Sequence, residues 1–207
     1  MLNAREALQR LQEGNQRFMN DVRKVDASFS MRRAALVDRQ FPHAIVLGCS
    51  DSRVPAELVF DQGVGDLFVI RVAGNIVAPS QVGSVEFAAI RFKTRLVVVL
   101  GHSQCGAILA TLEELRQPAT SQSLNLRSIV ERVRPSVEPL LESPLARDET
   151  SLIHHAVRAN VRASANHLRH GSSILESLIA NEGLRVVGAE YSLETGEVDF
   201  FDGMSDL

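Results

Sequence analysis

The chain has 207 residues, of which 45% are hydrophobic and 23% are charged, and its net charge at pH 7 is −3. This composition is that of an ordinary globular protein and excludes collagen-like, coiled-coil and broadly disordered chains. The charged residues are mixed along the sequence, so no basic stripe indicates a nucleic-acid partner. The length favours one domain over residues 1–207.

The first predicted element is an amphipathic helix over residues 3–19. Leu8, Leu11 and Phe18 recur near helical spacing among charged and glutamine residues, which gives this helix one apolar side. Its own neighbourhood in the sequence offers no surface for that side to cover. We therefore expect residues 1–38 to form a helical arm that packs on a partner subunit.

Three continuous apolar runs follow, each rich in β-branched residues: residues 43–48, 67–72 and 96–100. Runs of this length and composition are typical of buried parallel strands. Helices are expected around residues 30–38 and 80–92, where the second lies between two of these strands. The alternation of strand and helix predicts an α/β fold with a mostly parallel central β-sheet and flanking helices.

The second half of the chain is predicted to be mainly helical. Pro118, Ser121 and Ser123 mark a surface connection, and the tail over residues 184–201 predicts two strands around a Glu-Thr-Gly turn, an antiparallel hairpin at a sheet edge. The predicted helices cover residues 107–115, 126–141 with interruptions at Pro135 and Pro139, 151–170, and 173–181 with Gly183 as a C-terminal cap.

No segment of the sequence predicts membrane insertion or secretion. The longest apolar runs are far shorter than the roughly 20 residues that a membrane-spanning helix needs. The N-terminal residues carry charges throughout and lack the apolar core of a signal peptide. We therefore expect a cytoplasmic protein, in a compartment that disfavours disulfides.

Two of the predicted strands end in the same way, at a glycine followed by residues that bind metals. Residues 43–48 lead into Cys49, and residues 96–100 lead through Gly101 into His102 and Cys105. Because functional groups collect beyond the carboxyl ends of parallel strands, these side chains can meet. Two thiols and one imidazole match the Cys₂His set of catalytic zinc sites, which leaves a fourth position for water or substrate. Buried packing thiols and a single disulfide are the alternatives.

Asp51 and Arg53 lie directly after the first of these cysteines. Opposite charges two residues apart at a strand end can form a charge-assisted contact that keeps Asp51 ionised and fixed. Beside a metal, this aspartate could accept a hydrogen bond from bound water or become the fourth ligand itself. The alternative is a solvated salt bridge of little energetic consequence.

The segments C-S-D-S-R (49–53) and G-H-S-x-C-G (101–106) together resemble the β-class carbonic anhydrases, from about residue 32 through the C-terminal hairpin. The resemblance implies a zinc lyase that catalyses the reversible hydration of CO₂ to bicarbonate and a proton. It also implies one Zn²⁺ per chain, held by Cys49, His102 and Cys105. Zinc-bound hydroxide would attack CO₂ while Asp51 orients it and Arg53 holds Asp51.

The resemblance also implies a substrate pocket and an oligomer. Gln40 matches a position that binds substrate, Phe68 and Phe87 match positions that line the pocket, and the Gly106 N–H is expected to donate to the bicarbonate oxygens. Phe87 stands where a tyrosine is frequent, and core packing is the alternative for both phenylalanines. Family members are dimers or dimers of dimers in which Gln40 and Phe87 serve the partner's pocket. Val46 stands where the bicarbonate-inhibited subtype has tryptophan, which favours the plant-like subtype.

Other functions remain as alternatives. The same site could hydrolyse a CO₂ analogue such as carbonyl sulfide or carbon disulfide, or the zinc could be noncatalytic and structural. A nucleotide-binding domain is disfavoured because the sequence has neither a G-x-G-x-x-G after a strand nor a P-loop. The histidines of the later helices are expected to face solvent and to form no second metal site: His154, His155, His167 and His170.

Overall fold

A computed structural model describes residues 2–22, 29–117 and 123–205. Pro118 and Ser121, the predicted surface connection, lie outside these ranges, whereas Ser123 caps a helix. The strands are β1 (Ala44–Gly48), β2 (Leu67–Arg71), β3 (Leu96–His102), β4 (Arg185–Tyr191) and β5 (Val198–Asp202). The helices are α1 (Ala4–Met19), α2 (Phe29–Ala35), α3 (Ala56–Val59), α4 (Pro79–Arg91), α5 (Gly106–Arg116), α6 (Leu124–Leu141), α7 (Glu149–His170) and α8 (Ser173–Glu182).

The strands form one sheet in the order β2-β1-β3-β4-β5. The first four are parallel, and β5 runs antiparallel to β4 at the edge. This confirms the predicted α/β fold and its C-terminal hairpin. Because Gly48 pairs with Arg71 on one side and with Leu100 on the other, the chain leaves β1, β2 and β3 at the same edge of the sheet.

The sheet is buried on both faces, as the continuous apolar strands predict. Alternate strand residues point to opposite faces: Val46 and Val98 pack on the side covered by α1, whereas Leu47 and Val99 pack on the side covered by α4, α7 and α8. Cys49 and Cys105 lie in a third apolar cluster, which residues of α5, α6 and α7 complete beyond the edge of the sheet.

Helix α1 packs on the sheet of its own chain, a surface that is distant from it in the sequence. Leu8 and Leu11 are buried against β1 and β3, and Gly14 lies so close to Phe60 that a Cβ would be 1.8 Å from the Phe60 carbonyl oxygen. The sequence pattern defined the apolar side of the helix but could not show that this side packs on strands far away along the same chain. Contact of the 1–38 segment with a partner subunit stays a prediction.

Helix α6 runs unbroken through both prolines, so the expected interruptions are wrong. Pro135 and Pro139 are four residues apart and share the exposed side of the helix, while Val133 and Val137 are buried on the opposite side. Proline removes a backbone N–H and leaves a carbonyl one turn earlier without its partner. On the exposed side water can bind that carbonyl, and packing of the buried side keeps the helix continuous.

No helix in the described ranges combines the length and the apolar character needed to cross a bilayer.

Candidate metal centre

Three side chains that could hold a metal ion converge beyond the carboxyl ends of the strands. Cys49 follows β1, His102 ends β3, and Cys105 is the N-cap of α5. Their ligand atoms all lie within 4.8 Å of one another, and all three residues are buried. Within the described part of the chain this is the one such group of three or more, so the later histidines form no second cluster.

The donor set and its surroundings fit a metal ion. The Nδ1 atom of His102 lies 2.9 Å from the Ser103 carbonyl oxygen, which as an acceptor places the hydrogen on Nδ1 and leaves the Nε2 lone pair free. Nε2 is buried and has no hydrogen-bond partner among the described residues. Metal-bound histidines commonly donate their other N–H in this way, and two sulfurs with one imidazole suit zinc.

Hydrogen bonds within the cluster favour negative charge on one sulfur. A hydrogen bond from the Cys105 thiol lowers the pKa of Cys49 to about 4, against the opposing effect of burial. The same contact raises the pKa of Cys105. Burial is the largest single influence and lowers the pKa of His102, but the contacts with Cys49, the Ser103 carbonyl and Asp51 together outweigh it, so the net shift is upward. The site thus concentrates negative charge where a cation would bind.

Asp51 and Arg53 form a bidentate pair beside this cluster. Arg53 donates from Nε to Oδ1 at 2.9 Å and from Nη2 to Oδ2 at 2.8 Å, and its backbone N–H adds a third bond to Oδ1 at 3.0 Å. These bonds from Arg53 hold the pKa of the Asp51 carboxyl well below its usual range. Asp51 Oδ2 lies 3.8 Å from His102 Nε2, so an ionised carboxylate borders the metal-binding atoms.

The end of β2 and the turn after it supply three hydrogen bonds, from two residues, that sequence reasoning missed. Arg71 donates from Nε to the Cys49 carbonyl at 3.0 Å and from Nη2 to the Asp51 carbonyl at 2.6 Å. The Gly74 N–H donates to the Cys49 sulfur at 3.3 Å. A signal was available for Arg71, because an arginine ends a third parallel strand at the same edge of the sheet.

The predicted substrate-contact residues are more dispersed. Gly106 follows Cys105 directly and is exposed, and Gln40 is exposed before β1. Phe68 lies near the start of β2, three residues or about 10 Å before its carboxyl end. Its ring packs with Phe87 and Phe92, with centroids 6.3 and 6.0 Å away. A single chain thus groups these aromatic rings with each other rather than with the metal-binding sulfurs.

Comparison with known proteins agrees with this geometry. A family model described as "Carbonic anhydrase" matches residues 44–198. Carbonic anhydrase 2 of Mycobacterium tuberculosis is 37% identical over 197 residues, which cover 95% of this chain and 92% of that protein. The two sequences are therefore similar over most of their length.

Solved structures agree with the fold. The β-carbonic anhydrase CcaA superposes with a TM-score of 0.71 at 28% identity, over 94% of this chain and 91% of that one. A tetrameric β-carbonic anhydrase of the filamentous ascomycete Sordaria macrospora gives a TM-score of 0.72 at 25% identity, over 82% and 85% of the two chains.

Proposed function

This chain belongs to the β-class carbonic anhydrase family of enzymes, and we propose that it catalyses the reversible hydration of CO₂ to bicarbonate and a proton with one zinc ion. The observation that carries the proposal is the convergence of two sulfurs and one imidazole within 4.8 Å, bordered by an ionised aspartate. Cys49 and Cys105 are free thiols, and a reducing compartment keeps thiols in that state, which supports a cytoplasmic location.

We assign the zinc ligands to Cys49, His102 and Cys105. A bound Zn²⁺ supplies Lewis acidity, which lowers the pKa of water at its open position toward neutrality. The protein's part is to hold the donor atoms: the Ser103 carbonyl orients the His102 ring, and the Gly74 N–H binds the Cys49 sulfur.

Asp51 is the residue that orients the attacking water. Its carboxylate accepts two hydrogen bonds from the Arg53 side chain and stays ionised, so it can accept a further one from water beside His102 Nε2. The water oxygen would attack the CO₂ carbon to give bicarbonate, and the proton released from the water would pass to solvent. While Arg53 holds both carboxylate oxygens, Asp51 is kept from becoming a fourth ligand.

Residues around this centre would bind the substrate oxygens and exclude water. The Gly106 N–H is in the first turn of α5, where amides have no acceptor within their own helix. We propose that Gln40, Phe68 and Phe87 line the substrate pocket. Because Gln40 and Phe87 are exposed within one chain, we assign them to the pocket of a partner subunit.

An apolar surface supports a homo-oligomer, either a dimer or a dimer of dimers. Phe41, Phe87 and Ile90 are large apolar residues with 62%, 54% and 55% of their surface exposed. Exposed apolar surface of this kind is typical of a contact between subunits, and a tetrameric relative is known. Complementation tests this: a mixture of Asp51→Asn and Phe87→Ala chains, allowed to exchange subunits, should recover activity that neither has alone. Mere averaging of the two activities would contradict shared pockets.

The plant-like subtype is also part of the proposal. Val46 is fully buried in β1, and the sequence contains no tryptophan. We therefore expect CO₂ hydration to show no cooperative inhibition by bicarbonate, and a sigmoidal loss of activity as bicarbonate rises would oppose this assignment.

Stopped-flow CO₂ hydration by the zinc-loaded protein tests the function. Cys49→Ser should lose zinc and activity, whereas Asp51→Asn should keep zinc and lose most activity, because the amide cannot replace the ionised acceptor. Asp61→Asn is the matched control, since Asp61 also pairs with an arginine, Arg17, at 2.5 Å. It should keep both properties. Zinc retention without CO₂ hydration at any pH would instead favour a structural zinc site, and turnover of only carbonyl sulfide or carbon disulfide would favour a hydrolase.

A further inference from the structure

Helix α7 is connected to the metal centre through the turn that follows β2. Asn160 and Ser164 are one helical turn apart on α7 and are 2% and 6% exposed. Asn160 Nδ2 donates to the Gly74 carbonyl at 2.8 Å, and Ser164 Oγ donates to the Asn75 carbonyl at 3.0 Å. Gly74 in turn donates its own N–H to the Cys49 sulfur. A buried amide on a distant helix is therefore two hydrogen bonds away from a metal-binding atom.

The turn has an unusual backbone that needs such support. Gly74 and Asn75 both have positive φ angles, 69° and 43°, in a region that glycine adopts freely and asparagine tolerates. A Cβ on Gly74 would lie 2.9 Å from the Ala107 Cβ, so α5 also limits where the turn can lie. Conformations of this kind persist where the surroundings fix them. The two donors on α7 hold the Gly74 and Asn75 carbonyls, and α5 limits the position of the Gly74 Cα. Together these contacts restrain the residue whose N–H, one peptide group earlier, donates to Cys49.

We propose that Asn160 is a positioning residue for the metal centre: by binding the Gly74 carbonyl it restrains the backbone of Gly74, whose N–H donates to the Cys49 sulfur, and so strengthens metal binding. A hydrogen bond to a ligand sulfur stabilises the negative charge that the sulfur carries and fixes its direction, as outer contacts of metal ligands generally do. Ser164 supports the same turn one residue further on. The proposal deepens the proposed function, because it rests on Cys49 being a zinc ligand.

The test substitutes Asn160 by leucine, which has a similar volume but no donor. Zinc affinity is measured by competition with a chromophoric chelator, and the Co²⁺-loaded protein is followed by its sulfur-to-cobalt charge-transfer absorption. We expect zinc binding to weaken about 10- to 100-fold and the absorption band to move to longer wavelength, because a sulfur without its donor holds its electrons less tightly. Ser164→Ala, a milder change, should move both properties in the same direction by less.

Asn15→Leu is the matched control. Asn15 is equally buried, at 3% exposure, and donates to two backbone carbonyls, those of Val59 and Gly196, with no contact to the metal centre. It should lower stability but leave zinc affinity and the cobalt band unchanged. The proposal is overturned if Asn160→Leu and Ser164→Ala both keep wild-type affinity and absorption, or if Asn15→Leu shifts them as much.

The proposed function and this inference can fail separately. A wild-type protein that binds zinc but does not hydrate CO₂ overturns the function, while the comparison of zinc affinities among the variants still decides the role of Asn160. A wild-type protein that binds neither Zn²⁺ nor Co²⁺ overturns both.

Discussion

Replacing Gly74 by alanine tests how closely the turn after β2 is constrained. An L-residue held at φ 69° should destabilise the fold by about 1–2 kcal/mol. The new Cβ would lie 2.9 Å from the Ala107 Cβ, and overpacking of this kind typically adds about 1–3 kcal/mol. Together these effects predict a loss of roughly 2–5 kcal/mol, a large part of the about 5–15 kcal/mol that stabilises most proteins.

The assay is urea unfolding at one fixed protein concentration with a chelator present, because zinc binding to the folded state would add to the measured stability. The double variant Gly74→Ala/Ala107→Gly should regain the stability lost to overpacking. The gain is reduced by about 1 kcal/mol, because glycine is less favourable than alanine in a helix. The double variant should not recover the part due to φ.

Gly83→Ala is the matched control for this substitution. Gly83 is exposed in α4, and a Cβ there would meet no atom within 4 Å. Because alanine favours helix over glycine, this change should stabilise the protein by about 1 kcal/mol. The reasoning is refuted if Gly74→Ala changes the free energy of unfolding by less than about 1 kcal/mol, or if Gly83→Ala destabilises equally.

Three further predictions concern pH and the thiols. Burial, with Arg10 nearby, lowers the pKa of His43 to about 4. As pH falls below about 6.5, the unfolded chain therefore binds a proton at His43 while the folded protein does not. The free energy of unfolding should decline by about 3 kcal/mol between about pH 6.5 and about pH 4. His43→Leu should lose this component of the pH dependence, and equal slopes in urea titrations would contradict the assignment. Chelation of zinc should make two thiols per chain, Cys49 and Cys105, reactive toward a chromogenic disulfide, whereas zinc-loaded protein should resist; equal reactivity would count against the ligand assignment. Two thiolates offset the formal charge of zinc, so water at the metal should be acidified less and should lose its proton only at higher pH. The rate of CO₂ hydration should therefore rise from about pH 6 to about pH 9, and a flat stopped-flow profile would oppose this.

The sequence predicted those parts of the molecule that have a signature in residue type. Cys49, His102 and Cys105 follow buried apolar strands, so the rule that parallel strands end at one edge was sufficient to bring them together before the structure was known. The strand positions were clear for the same reason, because continuous β-branched runs have few other interpretations.

What the sequence did not reveal depends on backbone atoms and on pairings between distant segments. The Gly74 N–H acts through its position, and any residue type except proline carries an N–H, so nothing in the sequence distinguishes this one as a donor to sulfur. Helix α1 was recognisable as amphipathic, but its partner surface depends on how Gly14 meets the Phe60 carbonyl. Proline at position 135 predicts an interruption of the helix. The helix continues because Pro135 lies on its exposed side, and which side is exposed is a property of the tertiary structure.

Two arginines bind different parts of the segment that carries Cys49 and Asp51: one binds its backbone and the other binds a side chain. Arg71 binds the backbone carbonyls of both residues, so the path of the chain from ligand to carboxylate is tied to β2. Arg53 binds only the Asp51 side chain and the bonds it makes are exposed. Exchange of Asp51 between Arg53 and a metal-ligand position would therefore require rotation of one side chain and no movement of the Cys49 backbone. In the proposed zinc site the Cys49 sulfur would therefore keep its place whichever partner the carboxylate takes. Arg53 would control access to the fourth ligand position, and Arg71 would hold the backbone of the site.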